Sequence, residues 1–87
     1  MLGRLRRPID IVEMAKTYNN LGLVYIHKGE RGEAIKCLRT SLMISEALEG
    51  PGSTAIAHFN LGLALAEDKR LEEACDHIRE AANLYTS

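Results

Sequence analysis

The sequence of 87 residues contains one short phrase twice: Asn20-Leu21-Gly22-Leu23 returns as Asn60-Leu61-Gly62-Leu63, an offset of 61 − 21 = 40 residues. The same offset pairs Ala15 with Ala55, Glu33 with Glu73, Ala34 with Ala74 and Arg39 with Arg79. Near matches extend the register: Leu38 with Ile78, Ser41 with Ala81, Ile44 with Leu84. Self-similarity at a fixed period of this size marks one supersecondary unit present in successive copies, each burying a face against the next. The fold therefore has to be one that two stacked copies of a unit of about 40 residues can build.

The unit is helical. Ile11, Met14, Ala15, Tyr18, Leu21, Gly22 and Tyr25 recur at spacings of three and four, the period of one helix face. Pro8 suits a first helical turn, and Asp10 and Glu13 favour its positive end. This predicts a helix from about Ile9 to Lys28, ended by Gly29, which enters the left-handed region without steric cost. A second helix is expected from about Arg31 to Leu48, with Ala34, Ile35, Leu38, Ser41, Leu42, Ile44 and Ser45 on its inner face. Glu49-Gly50-Pro51-Gly52-Ser53 breaks it. Ser53 or Thr54 would cap a third helix reaching about Glu67, and a tight turn at Asp68-Lys69 leads to a fourth from about Leu71 to Tyr85. Lys69 stands where Gly29 stood, so the second turn is expected to differ in detail from the first.

The reading is all-α: two tandem antiparallel helix–turn–helix hairpins, residues 9–49 and 53–87, after a flexible basic tail over residues 1–8. Gly22 with Ala34, and Gly62 with Ala74, mark where the helices of each hairpin should cross closely. Glycine within a helix costs about 1 kcal/mol against alanine, so a packing reason is required.

Several function classes drop out. A net charge of −1 gives no electrostatic case for nucleic acid or an anionic membrane, and no apolar run approaches the length of a span. The start, Met1 to Pro8, lacks the apolar core of a signal peptide and reads as a solvated tail rather than a targeting or anion-binding segment. Cys37 and Cys75 make no disulfide framework and fit a reduced, cytoplasmic setting. Neither cysteine has a partner at metal-ligand spacing, so no metal is expected and both read as packing thiols. His27, His58 and His77 fall on separate helices with no triad around them, and Gly50-Pro51-Gly52 lacks the lysine of a phosphate loop. No enzyme activity and no cofactor are expected. Glu72, Glu73, Asp76, Arg79 and Glu80 form a solvated helix face.

With Leu21-Gly22, Tyr25, Gly29, Ala34 and Leu38 in the first copy, and Leu61-Gly62, Ala74, Ile78 and Ala81 in the second, the chain resembles the tetratricopeptide repeat family from about Ala15 to Tyr85. It departs from the usual period of about 34 residues, and is similar in this to the long repeats of kinesin light chains and spindle-orientation adaptors. The proline that closes the second helix in that family is missing near Glu46. His58 and Leu65 replace aromatic residues common there.

The resemblance implies a right-handed α–α superhelix acting as an adaptor or scaffold, whose first helices line a concave groove for a peptide or helical segment of a protein partner. By matching positions, Lys16, Asn19, Asn20, Leu23 and His27 line the groove from one copy, and Ile56, Phe59, Asn60, Leu63 and Glu67 from the other. Asn20 and Asn60, at equal places in the repeat, could hold a peptide backbone through their amides or bond to a neighbouring helix instead. Ile56, Phe59 and Leu63 form a stripe that marks an interaction surface if exposed and core if not.

A two-hairpin solenoid leaves its last helix bare, since repeats normally cover one another. Ala74, Cys75, Ile78, Ala82 and Leu84 are therefore expected partly in water, available for self-association. A homodimer or other oligomerisation module, a fragment of a longer array, and a partner protein supplying the missing surface are the alternatives to simple groove binding.

Overall fold

The computed structural model describes residues 8–86. Four helices account for nearly all of them: α1 (Pro8–Lys28), α2 (Arg31–Leu48), α3 (Pro51–Glu67) and α4 (Leu71–Thr86). No strand occurs among the described residues. α1 pairs with α2 and α3 with α4 as hairpins, α2 lies against α3, and α1 touches α3 along one flank. Residues 1–7, where the basic tail is expected, lie outside the described residues, and Pro8 already opens α1.

One helix start needs correction. α3 begins at Pro51, not near Ser53, because Pro51 at the first helical position needs no N–H partner and brings its backbone angle ready-made. Gly50 is the residue flanking it, and the Thr54 hydroxyl turns back to donate to the Gly50 carbonyl at 3.1 Å rather than capping. The connection from α2 is thus only Glu49-Gly50. The residues beyond a shorter repeat lengthen helices, not a loop.

The two hairpin turns are the same, against expectation. After α1, Glu30 N–H donates to Tyr25 O at 2.9 Å and Gly29 N–H to Ile26 O at 3.0 Å. After α3, Arg70 N–H donates to Leu65 O at 2.9 Å and Lys69 N–H to Ala66 O at 3.0 Å. Both are the paired C-terminal bonds of a Schellman motif, which needs a left-handed residue. Gly29 supplies it at φ 81° and Lys69 at φ 66°, so the lysine accepts the strain and the hydrogen bonds hold the shape.

The core lies between α2 and α3. Ala34, Ile35, Leu38 and Leu42 of α2 meet Ala57, Leu61, Ala64 and Leu65 of α3, with Ala74 of α4 closing one side. Leu38, Leu61 and Leu65 are completely buried, worth about 2–3 kcal/mol each. The glycines explain how the hairpins come this close. A methyl on Gly22 would sit 2.6 Å from Leu38 Cγ, and one on Gly62 would sit 2.6 Å from Ile78 Cγ1 and 3.2 Å from the Ala74 carbonyl. Each hairpin is locked by a large side chain lying in the notch a glycine leaves.

With principal extents of 45 × 34 × 15 Å the molecule is a slab, so every helix keeps a face near water. Ala74 is not on the outer face of α4, as expected, but buried inside the hairpin, and Ile78 is half-buried over Gly62. Of the five residues expected partly in water, Cys75 and Ala82 are exposed and Ile78 and Leu84 half-buried.

Candidate functional site

α1 and α3 lie side by side and parallel, and one side-chain bond fixes their register: the Asn60 amide donates to Asn19 Oδ1 at 3.0 Å. Asn60 is thus engaged with a neighbouring helix, and the partner is Asn19 rather than Asn20. Asn20 itself is exposed, and no side-chain partner takes up its amide among the described residues. The expected pair of equivalent asparagines is therefore split between a structural and an open role.

Beside that bond, the flank opens into a cleft of about 280 Å³. α1 contributes Ala15, Lys16, Asn19 and Asn20; α3 contributes Ser53, Ile56 and Ala57; Ser41 and Ser45 of α2 and Glu49 just beyond its end complete the lining. Of the residues expected in a groove, the structure gathers Lys16, Asn19, Asn20 and Ile56 here. Leu23, His27, Phe59, Leu63 and Glu67 lie outside this cleft. His27, Ile56, Phe59, Leu63 and Glu67 are exposed, and Leu23 is half-buried.

The polar floor was not anticipated. Ser41 is buried and its hydroxyl donates to the Ala15 carbonyl at 2.9 Å, tying α2 to α1. Ser45, equally buried, donates to Glu49 Oε1 at 2.9 Å and so orients that carboxylate at the end of α2. Lys16 stands exposed at the cleft, 3.5 Å from Glu13. The cleft therefore combines one apolar wall, amide and hydroxyl groups, and one charge of each sign. Two serines four residues apart on an otherwise apolar face were the signal in the sequence.

A second grouping brings together two of the three histidines that lie on separate helices. His58 Nδ1 and His77 Nδ1 meet at 2.9 Å across α3 and α4, and His58 Nε2 lies 3.7 Å from Glu46 of α2. Such a contact needs a proton on only one of the two facing nitrogens. Burial, then the neighbouring His58 and Arg39, hold the His77 imidazole below its ordinary value of 6.5. A lowered base binds its proton more readily in the unfolded chain, so stability should fall as pH drops below about 6.5. Thermal melts at pH 7.5 and 5.5 should show a lower Tm at 5.5, and the drop should shrink in His77→Gln; an equal drop in that variant would assign it to other groups.

Cys37 is buried, and burial followed by the nearby Glu33 pushes its thiol up, away from reactive thiolate. No group of three metal-ligating side chains converges among the described residues, and no helix there is long and apolar enough to cross a membrane.

Comparison with known families decides what these hairpins are. The tetratricopeptide repeat model matches residues 13–87, nearly all of both hairpins. The chain belongs to the tetratricopeptide repeat family. A search of the curated proteins returns no match. Tetratricopeptide repeats generally mediate protein–protein interaction and are typically without catalysis. Proteins are accordingly the general class of partner. The Gly22–Leu38 and Gly62–Ile78 notches are the close crossings within these tetratricopeptide hairpins.

Proposed function

We propose that the chain is an adaptor module of the cytoplasm that grips a peptide or helical segment of a partner protein along the flank formed by α1 and α3. The observation that supports this most is the cleft: it joins an exposed amide, Asn20, to an exposed apolar side chain, Ile56, beside an immobilised Asn19–Asn60 pair. Phe59 and Leu63 continue the apolar stripe beyond it at helical spacing, both substantially in water. Exposed apolar side chains gathered on one face are the usual mark of an interaction surface. Asn20 supplies a donor and an acceptor for a partner backbone, Ile56 and Phe59 supply area, and Lys16 and Glu49 select charge.

Panning a displayed peptide library on the wild-type chain, followed by titration of a selected peptide, tests this. Ile56→Asp and Asn20→Ala should each weaken the peptide about tenfold, near 1.4 kcal/mol, with helix content unchanged because both side chains are exposed. Undiminished affinity in both variants would place the contact elsewhere.

A further inference from the structure

The repeat offset can be applied to the packing as well as to the sequence. α3 buries Ala57, Leu61 and Ala64 in the core it shares with α2. Forty residues earlier stand Thr17, Leu21 and Val24 of α1, all exposed, with Val24 at 52 %. α2 presents Ile35, Leu38 and Leu42 to that core. Forty residues later stand Cys75, Ile78 and Ala82 of α4, exposed, half-buried and exposed. The molecule thus carries one bare face equivalent to the α3 side of its own interface and another equivalent to the α2 side.

Two features say what fits between them. The first is charge. Arg39 on α2 pairs with Glu73 on α4 at 3.3 Å, a link from one repeat to the next. Both residues recur at the offset, as Arg79 and Glu33. Among the described residues these two pair only with near neighbours on their own helices, Arg79 with Asp76 at 3.4 Å and Glu33 with Lys36 at 3.8 Å, all exposed. Placing α4 of one copy on α1 of another, as α2 lies on α3, brings Arg79 to Glu33 and remakes the inter-repeat pair.

The second is size. Counting outward from the Glu49-Gly50 turn, Leu42 stands level with Ala57 and Ile35 with Ala64, large against small. In the copy-to-copy pairing the equivalents are Ala82 with Thr17 and Cys75 with Val24. Here the α4 side is small and the α1 side larger, so the layer is filled by reversed partners.

We infer that α1 receives α4 of a second copy of this chain, head to tail, in the geometry that α2 and α3 already have. The interface is heterologous, so it leaves a bare face at each end and adds further copies head to tail beyond a dimer. It does not depend on peptide binding in the cleft; α1 of each added copy would sit beside α3 of the one before, as α1 lies beside α3 within the chain, and lengthen the same flank.

Sedimentation and light scattering over a concentration series read this directly. The wild-type mass should rise with concentration past that of a dimer. Arg79→Glu and Glu33→Arg should each lower the association constant about three- to tenfold, and the chain carrying both should recover it. Val24→Glu, at an exposed position that leaves the monomer's helix content intact, should abolish association. A chain that stays monomeric up to millimolar concentration overturns the inference, as does a dimer whose mass stops at two and ignores both charge reversals.

Discussion

Leu61→Ala should cost about 2–5 kcal/mol, while the same change at Leu21 should cost less than about 1 kcal/mol. The two leucines occupy the same place in the repeat, yet Leu61 is 0 % exposed and Leu21 is 39 % exposed. Removing Leu61 leaves a cavity bounded by α2 and α3 that a close-packed interior does not refill. Removing Leu21 leaves a notch that water fills. A domain of this size has roughly 4–13 kcal/mol of stability in all, so Leu61→Ala takes a large share of it. Urea midpoints at unchanged slope measure both. Equal losses at a concentration where the chain is monomeric would mean that Leu21 is buried within the chain itself, and the helix order described above would be wrong.

Gly62→Val should be at least as damaging, about 3 kcal/mol or more, although valine is the better helix former by several tenths of a kcal/mol. The added methyl carbon would lie 2.6 Å from Ile78 Cγ1 and 3.2 Å from a backbone carbonyl, and only the first of these can move. The α3–α4 hairpin must open to admit it. Gly32→Val is the control, because nothing lies within 4 Å of that position. A folded, fully helical Gly62→Val chain with wild-type stability would show that the close crossing is not what holds the second hairpin.

The architecture was readable because its signals are local and doubled. Helical spacing fixed the faces, the glycine–alanine pairs fixed the crossings, and each was present twice, so one copy could check the other. Where the reading slipped, the reason was a competing local rule. Pro51 reads as part of a break in the sequence, but at a first helical position proline starts a helix as readily as it ends one. Lys69 was expected to alter its turn, but two backbone hydrogen bonds outweigh about 1 kcal/mol of left-handed strain.

The site was less legible, because side chains meet across helices at distances that spacing does not encode. Asn60 bonding to Asn19 rather than mirroring Asn20 depends on the stagger of α1 against α3, 41 residues apart in sequence. The His58–His77 contact likewise needs both helices in place. Ser41 had been read as part of an apolar face, and its partner is a backbone carbonyl of another helix, invisible in a residue pattern. Its counterpart Ala81 is buried without such a bond to make, so the repeat comparison hid the difference.

The central claim is that α1 and α3 together make one gripping flank. Amide chemical-shift mapping during titration with a library-selected peptide tests it most directly. The account predicts perturbations concentrated at Lys16, Asn20, Ile56 and Phe59, with the outer face of α4 around Cys75 and Arg79 unmoved. Perturbations confined to α4, or spread without regard to the α1–α3 flank, would contradict it.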